Sequence, residues 1–491
     1  MATEKFRHQL RKESAQWRAE GLITEDQHTR LADLYGFDRL ETSARDRFIV
    51  ILIGLGSILL GLGVITFVAA NWQAIPRGVK LGVLLVAFLG VNLLAYGLWR
   101  RPSGGLGDRQ TWHQRLGIGL FLLGALLLGA NLALSGQLFH VGGMAYELFW
   151  VWGLGVLAMA FGLRLVPLGL MSMGLLGLAY WTALFDLNSW STIPGLPTTL
   201  RLMPLFAGLV FTGLAYHCRS RVIFGLGAIA LFSSFFVVVT ELADRLPDAP
   251  ALVACLVLLI PAAVLWSYDD RLWWAIARQP LPLKRPFRPV AQGLAIAHTL
   301  VIVYGLSFHF MWTNLNPARS LGGQITYGLG AGRGLWLNPN ILGLSLLLVV
   351  SWVFLARPTP RRPRWGLTAT DSSVLLILGT LGFLLIWHLG IQQISSLATL
   401  LNNVILALMA ASFIRQGLAQ ANRTVFWCGL ATLALQILSR MLEYDTGLLL
   451  KSLAFVLCGV GVIIVGLWFE RYVRTLDPPS TLAPQSQEEQ V

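Results

Sequence analysis

Long apolar runs separated by short polar breaks make up most of the chain. The first run, from Phe48 to Ala70, has no charged side chain and is long enough to cross a bilayer. A second run follows from Val79 to Trp99 and ends at Arg100. These runs lack the polar and apolar alternation of half-buried strands. They predict membrane-spanning helices, because a helix satisfies its own backbone hydrogen bonds in lipid.

Counting such runs predicts an all-α fold, a polytopic transmembrane helical bundle of about 14 spans, with a small helical hairpin before it. The predicted spans are 48–70, 79–99, 116–134, 146–163, 166–186, 202–217, 222–240, 251–268, 290–312, 341–356, 373–390, 394–414, 424–440 and 450–470. The runs at 146–163, 202–217 and 341–356 are the weakest, since they are short for a full crossing.

Polar stretches divide the chain into five predicted regions. These are a cytoplasmic helical hairpin (1–47), a first membrane group of about eight spans (48–268), a basic loop (269–289), a second membrane group of about six spans (290–476) and a disordered tail (477–491).

The composition agrees with lipid as the solvent of this chain. It has 491 residues, of which 55% are hydrophobic and 12% charged, whereas soluble domains carry about 25% charged residues. The four cysteines show no paired spacing and are interpreted as small core residues. Its net charge of +13 comes from arginines in short loops, which favours a topology signal over nucleic-acid binding.

The distribution of Lys and Arg predicts the orientation. With fourteen spans, one side receives 29 of the 37 Lys and Arg residues, nine in the N-terminal hairpin and 20 in loops. By the positive-inside rule, both termini are cytoplasmic, and the predicted location is a bacterial inner membrane.

Residues 1–47 are predicted to form two helices. Phe6, Leu10 and Trp17 share one face of the first helix, which ends at Gly21. Thr24 and Gln27 have the spacing of a capping box that starts the second helix. The inward side chains of that second helix are predicted to be Leu31, Leu34 and Tyr35. A hairpin of this size does not fold firmly alone, so we expect it to dock on a protein partner, a second copy or the cytoplasmic loops.

Several segments resemble a known family. They are residues 17–27 (WRAEGLITEDQ), 69–77 (AANWQAIPR), 136–140 (GQLFH) and 148–152 (LFWVW). Together they resemble a bacterial family of predicted membrane proteins, catalogued as domain of unknown function 2157, over the first third of the chain. The resemblance implies a multi-span membrane fold. It brings no established activity, so it assigns no functional residue.

The sequence contains no HExxH, GxSxG, Walker or CxxC motif, and it predicts no catalytic residue, cofactor or metal site. The glycine-dense segment 328–334 misses the dinucleotide-binding spacing and is interpreted as a loop. The basic loop carries Trp273, Trp274, Lys284 and Arg285, which suits it to anionic lipid headgroups.

Four polar residues in or beside the spans are candidates for a cavity or a proton relay: Glu147, His298, His309 and His388. Charged groups inside a bilayer are costly, so they mark functional sites by default. His298 and His309 are 11 residues apart and are predicted to share one face of the ninth span. The alternative is that these side chains lie in the headgroup layer or bond to neighbouring helices, as we expect for Asp186 and Glu241 at the ends of their runs.

Five amides within apolar runs are predicted to bridge helices: Asn92, Asn131, Asn402, Asn403 and Gln436. Three functions remain open from the sequence. They are a carrier of a small solute or lipid-linked molecule, a scaffold, sensor or assembly factor that uses the N-terminal hairpin, and a membrane-embedded enzyme acting on lipid-linked substrates.

Overall fold

The computed structural model describes residues 4–35, 51–63, 66–67, 76–100, 112–140, 142–186, 196–243, 250–271, 286–315, 338–358, 364–444 and 447–476. Predicted features outside these ranges are the link between the first two apolar runs (residues 71–75), most of the basic loop, the glycine-dense segment and the C-terminal tail.

Every regular element in these ranges is helical, which confirms the predicted fold class. In chain order the helices are α1 (Glu4–Ala19), α2 (Glu25–Tyr35), α3 (Ile51–Gly63), α4 (Arg77–Trp99), α5 (Trp112–Leu138), α6 (Ala145–Leu163), α7 (Val166–Asp186), α8 (Leu196–Arg201), α9 (Met203–Cys218), α10 (Arg221–Ala243), α11 (Pro250–Ser267), α12 (Arg288–Leu306), α13 (His309–Asn314), α14 (Pro339–Ala356), α15 (Ala369–Gly390), α16 (Ser395–Ala419), α17 (Arg423–Glu443) and α18 (Leu448–Leu476).

Thirteen of the fourteen predicted spans each overlap one of these helices, and the ninth, 290–312, overlaps both α12 and α13. Among the described residues, eleven helices are long and apolar enough to cross a membrane, and α3, α9 and α11 are shorter apolar helices. Two runs that looked weakest in the sequence, at 146–163 and 341–356, belong to the eleven. The run at 341–356 reaches sufficient length because α14 starts earlier, at Pro339, so that Asn340 belongs to its first turn.

The ninth predicted span is interrupted. The helix α12 ends at Leu306, and α13 begins at His309 after Phe308, which has extended backbone angles (φ −84°, ψ 135°). The prediction that His298 and His309 share a face of one helix is therefore wrong. Apolar periodicity continues through Ser307 and Phe308, whereas the carbonyl of Ser307 and the N–H of His309 bond to side chains of α16 and α17.

The chain divides into two compact units. The first comprises residues 1–200 and 210–223, and the second comprises residues 201–209 and 224–491. The five regions predicted from the sequence stay predictions.

In the first unit, α4 and α5 pack closely around Leu84, Leu123, Leu127 and Leu134. A Cβ placed on Gly117 of α5 would lie 2.9 Å from the carbonyl oxygen of Ala95, so only glycine permits this approach. The indole of Trp152 in α6 donates to the carbonyl of Ala125 in α5 at 2.7 Å and so ties these two helices together.

The N-terminal hairpin of this unit matches most of its prediction. Gly21 has φ +74°, and Thr24 and Gln27 form the reciprocal capping bonds at 2.9 and 3.3 Å. The inward prediction for Leu34 is wrong, since this side chain is 77% exposed. Two helices can cover only one stripe of α2, and Leu34 lies outside it. The side chains of Phe6 and Tyr35 are outside the described part.

In the second unit, a hydrophobic core lies among α12, α13, α15 and α16 and includes Val303, Trp312, Leu385 and Leu406. The helix α18 packs on α17 through a stack of Phe469 on Phe426 at 3.8 Å. Otherwise α18 has exposed leucine, isoleucine and valine side chains along its length. Such a surface is compatible with lipid tails, which are as apolar as those side chains.

Candidate functional site

The interruption at Ser307 and Phe308, here called the helix break, is the centre of a polar cluster in the second unit. Ser307 is fully buried, and its hydroxyl donates to the carbonyl of Tyr304 at 2.6 Å. Its own carbonyl accepts two bonds, one from Arg440 Nη1 at 2.6 Å and one from Asn403 Nδ2 at 2.9 Å. Side chains of α16 and α17 thus supply the donors that a continuous helix would have provided.

Arg440 and Glu443, three residues apart on α17, form an ion pair at the break. Glu443 also accepts from the backbone N–H of His309, the first residue of α13. The guanidinium carbon of Arg440 lies 4.1 Å from the centre of the Phe308 ring. With side chains 12% and 11% exposed, this pair is more buried than the other ion pairs of the described residues. It holds both ends of the break at once.

Asn403 and Gln436 extend this cluster between α16 and α17. Gln436 Nε2 donates to the backbone carbonyl of Asn403 at 2.8 Å and lies 3.3 Å from its side-chain oxygen. Asn403 in turn donates to the break at Ser307 and to the carbonyl of Thr399. A chain of hydrogen bonds therefore runs from Gln436 through Asn403 to the carbonyl that Arg440 also holds.

Three buried polar atoms of these helices have no hydrogen-bond partner within the described residues: Asn402 Oδ1, Gln436 Oε1 and Arg440 Nε. A buried donor or acceptor left unpaired costs about 1–3 kcal/mol, and more when it is charged. Gln436 and Arg440 are four residues apart and so share one face of α17. The cluster has unused hydrogen-bonding capacity at that face.

Two of the predicted histidines lie beside this cluster. His309 begins α13, and its Nδ1 is 3.4 Å from the hydroxyl of Thr399. His388 is buried, with Nε2 at 2.8 Å from the carbonyl of Trp312, while its Nδ1 accepts from the N–H of Ile394 at 3.1 Å. His388 thus connects α13 with the turn between α15 and α16.

The other two predicted candidates lie elsewhere. His298 is on α12, and its Nε2 is 3.1 Å from the carbonyl of Leu258 on α11. Glu147 belongs to the first unit, where its carboxylate accepts from the N–H of Met144 in a capping box at the start of α6. The four candidates are therefore divided between the two units, with Glu147 in the first and the three histidines in the second.

The predicted bridging amides differ in what they contact. Asn131 donates to the carbonyl of Leu84 on α4 at 3.1 Å, and Asn403 and Gln436 also reach other helices. Asn92 and Asn402 donate to carbonyls four residues earlier in their own helices. Asn92 also packs against α5, since a Cβ on Gly124 would lie 2.5 Å from its amide nitrogen.

Other buried acids serve the backbone. Asp270 accepts from the N–H groups of Phe287 and Arg288 and so joins the two ends of the basic loop. Asp371 caps α15 together with Thr368 and accepts from the indole of Trp266 at 3.1 Å. Within the described part of the chain, no three His, Cys, Asp or Glu side chains are grouped to hold a metal ion.

Sequence reasoning missed Arg440 as a site residue and treated it as a topology signal. The spacing of Gln436, Arg440 and Glu443 could have identified it, since positions i, i+4 and i+7 lie on one helical face. The interruption itself leaves no comparable trace, because Ser307 and Phe308 occur within an otherwise apolar run.

Comparison with known proteins agrees with the fold. Residues 15–169 match the family described as "Predicted membrane protein (DUF2157)", which covers the first third of the chain. No curated protein and no solved structure matches the chain significantly. The chain is thus a polytopic helical membrane protein, and the polar cluster lies outside the segment that matches the family.

Proposed function

We propose that the protein is a membrane carrier of a small solute or a lipid-linked molecule, and that the helix break is its solute site. The observation that carries this proposal is a buried Arg440–Glu443 pair at an interrupted helix of a membrane-spanning bundle. Intramembrane charges are costly and serve transport pathways in many membrane proteins. Carriers commonly bind their substrates at discontinuous helices, where freed backbone groups meet the ligand.

The orientation inferred from the arginines indicates on which side of the membrane the proposed site lies. If both termini are cytoplasmic in a bacterial inner membrane, α12 and α17 end on the outer side, and the cluster lies close to that surface. The basic loop would then contact anionic headgroups on the cytoplasmic side. His309 and His388 belong to this proposed site, whereas Glu147 and His298 act as helix supports.

The alternative is a scaffold or assembly factor that acts through the N-terminal hairpin. It is favoured by the exposed Leu22 and Leu34, which are 68% and 77% accessible on that hairpin. The backbone contacts of Glu147 and His298 fit a packed bundle equally well. We place the carrier first, because packing alone does not require a buried ion pair at an interrupted helix.

One complementation experiment separates these functions. Metabolites and lipids are profiled in a strain that lacks the gene and then expresses wild-type protein, Arg440→Lys, Glu443→Gln or a chain without residues 1–47. We expect the strains that express Arg440→Lys or Glu443→Gln to keep the profile of the deletion strain, since both substitutions break the site.

Arg423→Lys is the matched control, because Arg423 is on the same helix and forms an exposed ion pair with Glu470. It should restore the wild-type profile. Full restoration by Arg440→Lys, together with no restoration by the chain without residues 1–47, would contradict the carrier and support the scaffold.

A further inference from the structure

The guanidinium of Arg440 has one edge occupied and one edge unused. Nη1 donates to the carbonyl of Ser307 and to Glu443, whereas Nη2 makes only a long contact of 3.4 Å with the Ser307 hydroxyl. Nε has no acceptor among the described residues. The Nε and Nη2 donors lie in one plane and point the same way, which is the geometry that binds a carboxylate or phosphate through two bonds.

The orientation of this unused edge is fixed by the protein. The Phe308 ring lies against the guanidinium at 4.1 Å, and Glu443 and Ser307 hold its opposite edge. A donor pair that is held before the ligand arrives loses little entropy on binding. Arg440 is therefore preorganised for an anionic group.

Gln436 presents the complementary atom one helical turn earlier. Its Nε2 faces two acceptors of Asn403, which fixes the amide orientation and leaves Oε1 as an acceptor. This Oε1 is buried and receives no donor from the part of the chain that is described. Side chains four residues apart on a helix are neighbours, about 5–6 Å between Cβ atoms. An unused anion-binding edge and an unused acceptor thus belong to neighbouring side chains on one face of α17.

We propose that Arg440 and Gln436 bind a solute with an anionic oxygen and an adjacent O–H or N–H donor. A hydroxy acid, an amino acid or a phosphate ester of a polyol has this chemistry, and so does a glycerophospholipid headgroup. The anionic oxygen accepts from Nε and Nη2 of Arg440, and the neighbouring donor meets Gln436 Oε1. This inference rests on the proposed function and narrows it to a class of solute.

Access to these atoms requires movement at the break. Both Arg440 Nε and Gln436 Oε1 are shielded from solvent, and α13 is also held to α12 by the bond from Trp312 Nε1 to the carbonyl of Leu306 at 2.6 Å. Uncovering Arg440 requires α13 to move away from α12, which breaks this bond and the bond from the N–H of His309 to Glu443. The ligand therefore binds when the break opens.

The test is thermal unfolding of the full chain, purified in a neutral detergent and titrated with defined probes. L-lactate and propionate form a matched pair with and without a hydroxyl donor, and glycerol 3-phosphate supplies a phosphate ester. Vesicles of phosphatidylglycerol and of phosphatidylcholine test the lipid source of the same chemistry. We expect an anionic probe to raise the unfolding temperature. If the site binds carboxylates, propionate should raise it less than L-lactate does.

Two variants and one control define the site. Arg440→Lys should weaken binding at least about ten-fold, since a bond to a charged group is worth about 1.5–3 kcal/mol. Gln436→Leu removes only the acceptor and should abolish the preference for L-lactate over propionate. If glycerol 3-phosphate is the ligand, Gln436→Leu should weaken its binding by the same factor by which L-lactate exceeds propionate in the wild type. Gln436→Leu also keeps the test decisive if Arg440→Lys does not fold. Arg423→Lys should bind as the wild type does.

The outcomes separate this inference from the carrier function. Stabilisation by soluble probes identifies a solute, and stabilisation by phosphatidylglycerol vesicles alone identifies a headgroup. No shift with any probe, or equal shifts of wild type and Gln436→Leu with L-lactate and with glycerol 3-phosphate, would overturn the inference and leave a bridging water as the occupant. Binding without flux in proteoliposomes would reject the carrier and keep the site. Flux of an uncharged solute without anion binding would keep the carrier function and reject the anion site.

Discussion

His388 illustrates what one polar side chain contributes in a membrane-spanning bundle. Its Nδ1 accepts from the backbone N–H of Ile394, so the ring proton must be on Nε2, where it reaches the carbonyl of Trp312. Its ring also meets the Trp312 indole edge-on at 5.1 Å. A proton relay through His388 would have to give up the bond to Ile394. Its first role is to join α13 to the turn that precedes α16.

This role predicts a stability effect. His388→Ala leaves the N–H of Ile394 and the carbonyl of Trp312 buried and unpaired, which should cost about 2–4 kcal/mol. The measurement is the free energy of unfolding of the purified protein in mixed micelles. His113→Ala is the control, because His113 is exposed at the start of α5 and should change stability by less than about 0.5 kcal/mol. Equal effects of both substitutions would contradict the assignment.

At the scale of elements, glycines determine how closely α16 and α17 pack. A Cβ on Gly429 would lie 2.8 Å from both the carbonyl oxygen of Ala410 and the backbone nitrogen of Ile414. A Cβ on Gly417 would meet the backbone of Phe426 at 2.5 Å. Because backbone atoms cannot rotate away, these helices would have to separate. That separation would also move Arg440 and Gln436 relative to Asn403.

Gly429→Ala should therefore destabilise the second unit by about 1–3 kcal/mol, through overpacking. Gly379→Ala on α15 is the matched control, because a Cβ there meets nothing within 4 Å. Alanine is a better helix former than glycine, so the control should be neutral or slightly stabilising. Thermal unfolding of both variants beside the wild type measures the difference, and a stable Gly429→Ala would contradict the close approach.

For the whole molecule, the testable property is the threading of the chain. Fourteen crossings place residue 322 on the opposite side from residue 480, and residues 105 and 480 on the same side. Single cysteines at these positions, in a background without Cys218, Cys255, Cys428 and Cys458, are labelled with an impermeant maleimide in intact cells. We expect residue 322 to react, and residues 105 and 480 to react only after permeabilisation.

Labelling of residues 322 and 480 from the same side would reject the count of fourteen. Labelling of residue 480 in intact cells, with residue 322 protected, would reject only the orientation. With fourteen crossings, 29 of 37 basic residues fall on one side. The sequence therefore supports the orientation more strongly than it supports the exact number of crossings.

The sequence by itself determined the spans, since burial of apolar runs in lipid depends only on local composition and length. It also determined local signals such as the capping box of Thr24 with Gln27, whose atoms are three residues apart. The break at Ser307 and the partners of Arg440 were decided only by the tertiary structure. They depend on donors from Asn403 and Arg440, 96 and 133 residues away from Ser307 in the chain, and no local pattern encodes which distant side chain meets a carbonyl.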